Sequence, residues 1–171
     1  MLPVQSGEPP ADAAGPACDA VLGATGASPQ YGLIGRMSGR TIALDLNQTH
    51  TISLFGVQGG GKSYTLGSVI EMACMPVAGV NRLPHPLAGV IFHYSATLDY
   101  QPEFTSMAAP NAVEAEVSRL RADYGASPQA LDDLVILTPA AKVEARRAEY
   151  PGIEVGVALF RRRPGGGPWG F

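Results

Sequence analysis

Thr51-Ile-Ser-Leu-Phe-Gly-Val-Gln-Gly-Gly-Gly-Lys-Ser63 carries two signals back to back, and the residues after it carry a third. Residues 51–55 are β-branched, aliphatic and aromatic, the composition of a short buried strand. Gly56, Val57, Gln58, Gly59, Gly60, Gly61, Lys62 and Ser63 match G-x-x-x-x-G-K-S. From Tyr64 to Met75, the apolar residues Leu66, Val69, Ile70 and Ala73 recur at helical spacing, and Pro76 stops the run. Strand, glycine-rich turn and helix are therefore expected in that order.

An anion accounts for this combination. Successive main-chain N–H groups can curl round a phosphate only where the backbone approaches closely and takes positive φ, which glycine allows. The helix that follows points its positive end at the same place. In such a loop Lys62 reaches the β- and γ-phosphates and the Ser63 hydroxyl ligates Mg²⁺. With 21 glycines among 171 residues and lysine only at 62 and 142, chance would produce the pattern somewhere in the chain roughly 0.003 times. The expected ligand is ATP with Mg²⁺, held by residues 56–63, with Tyr64 as a weaker candidate against the base or ribose.

Outward from the loop, residues 1–28 are rich in Pro, Ala, Gly and Ser without period and read as a flexible leader. Tyr31-Gly-Leu-Ile-Gly35 and Thr41-Ile-Ala-Leu-Asp-Leu46, with a turn at Met37-Ser-Gly-Arg40, predict a small β segment over 29–50. Further strands are expected at 87–94, 134–137 and 153–160. Asn111-Ala-Val-Glu114 has the form of a capping box for a helix ending at Gly125, Ser127-Pro128 offers a second helix start, and 140–149 reads as a short charged helix. Strands alternating with helices predict a parallel sheet, in a core over 51–160 followed by a disordered tail, 161–171.

The net charge is −3, distributed as −2, −1 and 0 over residues 1–50, 51–110 and 111–171. No segment is a basic block that would bind nucleic acid by charge alone. Charged residues make up 16% of the chain, low for a soluble domain, and apolar residues 46%, enough for a core. No apolar run approaches the roughly 18–20 residues of a membrane span, and residues 1–28 lack the pattern of a secretory signal. Cys18 and Cys74 stand far apart, which fits a reducing cytoplasm.

Hydrolysis requires a further carboxylate, four apolar residues followed by Asp or Asp-Glu. None follows Ser63 in that form. Asp132 and Asp133 precede their strand, residues 87–94 end in His-Tyr, and Asp45 lies ahead of the loop. Asp99 and Glu103 follow an expected strand and are candidates to face a nucleotide, although a solvated acidic loop is the commoner role. No catalytic residue is identified. His50, His85 and His93 are too scattered to ligate a metal, and His93 is expected in the core. Arg161, Arg162 and Arg163 are candidates for phosphate-backbone contact, with a solvated tail the commoner role.

The runs Gly35-Arg-Met-Ser-Gly-Arg-Thr-Ile-Ala-Leu-Asp-Leu-Asn47 and His50-Thr-Ile-Ser-Leu-Phe-Gly-Val-Gln-Gly-Gly-Gly-Lys-Ser-Tyr-Thr-Leu-Gly67 resemble HerA/FtsK-type ATPases. The resemblance covers about residues 31–160. It implies a small β-barrel ahead of a RecA-like P-loop core, and a parent activity of ATP hydrolysis driving DNA translocation or unwinding as a hexamer. His93 stands where the family more often has Asp, and Gly60 where a Ser, Thr or other small residue is commoner. The family's acidic strand comes later, after a helical insertion, so its absence here is what an N-terminal fragment would show. The expected fold is thus α/β, a partial RecA-like core, and the expected function ATP binding. The alternatives are a nucleotide-binding module without turnover, or a truncated inactive fragment.

Overall fold

The computed structural model describes residues 15–57, 59–93 and 103–158. They form an α/β protein in two units, divided between Leu131 and Asp132.

The first unit is built on a four-stranded sheet in the order β1-β3-β2-β4. Its strands are β1 (Ala20–Leu22), β2 (Tyr31–Met37), β3 (Arg40–Asp45) and β4 (Asn81–Arg82). β2 and β3 form the expected hairpin, turning through Ser38 and Gly39, both at positive φ. β1 joins β3 in parallel, pairing Ala20, Val21 and Leu22 with Ile42, Ala43 and Leu44. The sheet thus begins inside the stretch expected to be a leader. The composition of 1–28 conceals a three-residue strand whose partner residues lie 22 positions on.

Helix α1 (Lys62–Cys74) lies against this sheet. Its buried Met72 packs with Leu46 and Leu83, and Leu44, Val69, Ala73 and Val80 surround them. The helix ends before Pro76, which cannot continue it. Asn81 satisfies its last carbonyls: Nδ2 donates to Met72 O and Met75 O, both at 2.8 Å, and Oδ1 accepts from Val77 N at 2.7 Å. α2 (Glu114–Tyr124) closes at Gly125 in the left-handed conformation, as expected. Its start differs from the expected capping box. Asn111 accepts from Val113 N at 2.8 Å and donates to Glu116, not Glu114, so Val113 occupies the cap. Ser127-Pro128 starts no helix.

The second unit is a parallel pair, β5 (Val135–Thr138) and β6 (Glu154–Val157), linked by a 3-10 turn (Ala140–Lys142) and α3 (Val143–Glu149). Ile136, Val143, Tyr150 and Val155 are buried. Arg147 pairs with Glu144 at 2.9 Å, and Arg146 with Glu149, the i,i+3 spacing of a solvated helix face.

The largest departure from expectation concerns the apolar runs at 51–55 and 87–93. Both take no part in either sheet. Phe55 is 91% exposed and Phe92 90%. An apolar, β-branched run states that a segment suits a pleated, buried surface. It does not supply a partner strand, and the described residues place none beside these two; the second run instead meets α1, where Leu87 N donates to Ala73 O at 2.8 Å. Of the parallel sheet expected over 51–160, the described residues show only the β5–β6 pair. Residue 94, the end of the second run, and the tail at 161–171 lie outside the described residues.

Candidate phosphate-binding loop

The loop between residue 55 and α1 takes its shape from three glycines used in two ways. Gly59 and Gly61 stand at φ 76° and 75°, the left-handed region where a side chain is strained. Gly60 donates its N–H to Val57 O at 3.1 Å. A Cβ on Gly60 would lie 3.0 Å from that same oxygen. The triple glycine is therefore a wrapped turn. Gln58, the remaining loop position, lies outside the described residues.

Lys62 begins α1 and folds back over the turn. Its Nζ donates to Gly56 O at 2.9 Å and to Val57 O at 2.7 Å. The ammonium thus rests on the main chain of the loop's first two residues. Gly61 is the helix cap and brings no side chain, and the first turn carries no acidic residue. The first-turn amides of a helix have no partner within it. Thr65 ties the turn to the helix, with its N and Oγ1 both donating to Gly61 O, at 2.9 and 3.0 Å. Ser63 is exposed beside Lys62, and Tyr64 is 65% exposed, so it takes no part in the core. Backbone amides, one ammonium and one hydroxyl are gathered at a single helix start. Chemically, that is a cradle for a polyanion.

The acidic candidates fare differently. Asp99 lies outside the described residues, as do Arg161, Arg162 and Arg163, the candidates for phosphate-backbone contact. Glu103 begins a 3-10 turn (Glu103–Ala108). Asp132 and Asp133 belong to the second unit. Asp45 is 1% exposed and fully engaged. It accepts from Ser28 Oγ, from His50 Nε2 at 2.7 Å, from Gln48 N at 2.9 Å and from Asn47 N at 3.4 Å. Burial alone would raise its pKa, but these hydrogen bonds outweigh it and hold the carboxyl down at about 2. Among the described residues, no group of three or more His, Cys, Asp or Glu side chains could hold a metal ion. His93 is a correction: it is exposed and meets the Phe104 ring edge-on at 6.1 Å, away from any core. The expected strand that would have buried it joins neither sheet among the described residues.

Sequence reasoning passed over the Asp45–His50 pair. Five residues apart across a turn, the two match no helical or strand period, and only the bend of 46–50 brings them together.

No family model, curated protein or solved structure matches this chain. Among the described residues no helix is long and apolar enough to cross a membrane.

Proposed function

We propose that residues 56–63 bind the phosphates of ATP, with Lys62 on the β- and γ-phosphates and Ser63 on Mg²⁺. The observation that carries this is the wrapped glycine turn with the Lys62 ammonium folded over it at the start of α1. An ammonium resting on two main-chain oxygens exchanges them for phosphate oxygens carrying full charge, which makes stronger hydrogen bonds. In the sequence, the order of apolar run, glycine turn, helix and second apolar run is the ground on which we propose a RecA-like arrangement. From the resemblance to HerA/FtsK-type ATPases we further propose a parent activity of ATP hydrolysis coupled to work on DNA by a hexamer.

For the described residues taken alone, nucleotide binding without turnover is the favoured form of this function. Asp45, the acid nearest the loop in sequence on its N-terminal side, has its carboxylate committed to four donors. Titration of the purified chain with Mg·ATP, followed by phosphate release, tests both statements. Saturable binding that Lys62→Ala weakens at least tenfold supports the phosphate loop. Absence of binding at millimolar nucleotide rejects it. Phosphate release that Lys62→Ala abolishes would show turnover and reject the binding-only form.

A further inference from the structure

The segment that leads into the phosphate loop is held by Lys62 at its far end, where Nζ donates to Gly56 O and Val57 O, and by His50 just before its start. Residues 51–57 belong to neither sheet and are exposed. Immediately before them, His50 donates from Nε2 to Asp45 Oδ2 at 2.7 Å. Its acceptor is a fixed one, because Asp45 is buried at the end of β3 and also held by Ser28 Oγ and the amides of Asn47 and Gln48. The imidazole rests on Gly23, where a Cβ would lie 2.6 Å from Cε1 and 2.9 Å from Nε2. The other end of the same turn is secured too. Leu46 N donates to Gln30 O at 2.9 Å, and Gln30 Nε2 donates to Leu46 O at 3.3 Å. The turn 46–50 is therefore fastened to the sheet at both ends, and Thr51 leaves from a fixed point.

That fixed point matters for an anion cradle. Six residues from His50 to Gly56 can span about 20 Å when extended. With His50 released, the N-terminal side of the loop, including the two oxygens that receive Lys62, would move over a wider range. Ordering a loose loop on binding costs free energy that a pre-ordered loop does not spend.

We infer that His50, through its hydrogen bond to Asp45, is the positioning residue of the phosphate loop. It touches no phosphate and limits where Gly56 and Val57 can lie. The inference rests on the proposed role of residues 56–63, but its direct consequence, the order of the empty loop, is measured without nucleotide.

The test compares the whole chain with His50→Ala and His50→Gln, the glutamine placing an amide nitrogen near the position of Nε2. ¹⁵N relaxation is recorded at Gly56, Gly59 and Gly61, with Met72 and Asn81 as internal references, and affinity for Mg·ADP is measured in parallel. In His50→Ala the loop order parameters fall towards the flexible range below about 0.6, and the references stay unchanged. In His50→Gln the loop order returns. Mg·ADP affinity drops roughly five- to twentyfold in the alanine variant and recovers in the glutamine variant. Loop order unchanged in His50→Ala, or no recovery in His50→Gln, overturns the inference. A loop that responds as stated in a chain that binds no Mg·ADP would reject the phosphate reading while leaving the anchor standing.

Discussion

The Sδ atom of Met72 lies where a side chain on Gly32 would have to begin: a Cβ at position 32 would stand 2.6 Å from it, and 3.1 Å from the Met72 Cβ. This contact sets how closely α1 approaches β2, and so where the start of α1 and the phosphate loop are carried. Gly32→Ala is expected to destabilise the first unit by about 1–3 kcal/mol, the usual cost of overpacking. Met72→Ala, which removes the partner and leaves a void, is expected to cost about 2–5 kcal/mol. Urea unfolding of both variants measures this, and a Gly32→Ala chain as stable as wild type would contradict the close approach.

Asp45 makes stability depend on acid. Its folded pKa, about 2, lies below the ordinary value of 3.8. The stabilisation is therefore present above the ordinary value and is lost as pH falls through about 2. Its size is on the order of 2 kcal/mol. Between pH 6 and pH 2 the free energy of unfolding should fall by that amount more in wild type than in Asp45→Asn. Parallel pH profiles for the two chains would be the contrary result.

The three loop glycines should respond differently to alanine. Gly59→Ala and Gly61→Ala place a side chain at positive φ, costing about 1 kcal/mol each. Both have open space around the added methyl group. Gly60→Ala instead drives the methyl against Val57 O, an acceptor in the turn itself. All three are expected to weaken Mg·ADP binding, Gly60→Ala and Gly61→Ala by tenfold or more, with the melting temperature changed by only a few degrees. Calorimetric titration reads the affinities, and wild-type affinity in all three would remove the backbone from the site.

Asn81 is expected to matter more to stability than its short strand suggests. Asn81→Ala leaves Met72 O, Met75 O and Val77 N without their side-chain partner, at a cost of about 1–3 kcal/mol. Asn81→Asp keeps the acceptor and loses both donations, so it should be at least as destabilising. Thermal melts of the two variants distinguish this from a surface role, in which both would melt with wild type.

Much of the local structure was legible in the residues. The β2–β3 hairpin, α1 stopped by Pro76, the Gly125 helix end, the charged helix at 140–149 and the β5 and β6 segments all follow from period, breakers and caps. Those signals act within a few residues. The position of β1 was not legible, because its apolar content is slight and its parallel partner is remote. Nor was the true start of α2, where Asn111 turned its amide to Glu116 in place of Glu114.

By itself, the sequence determined the wrapped glycine turn. Gly59 and Gly61 admit positive φ, Gly60 admits the close approach to Val57 O, and Lys62 follows at the helix start, all within a span that needs no distant partner. Only the tertiary structure decided the fate of Asp45, His50, Phe55 and Phe92. Asp45 and His50 meet because the chain bends back upon the sheet, and Phe55 and Phe92 stand in the open because the described residues bring no strand beside them. Burial and sheet pairing are relations between segments far apart in the chain, and the composition of one segment does not say which other will lie against it.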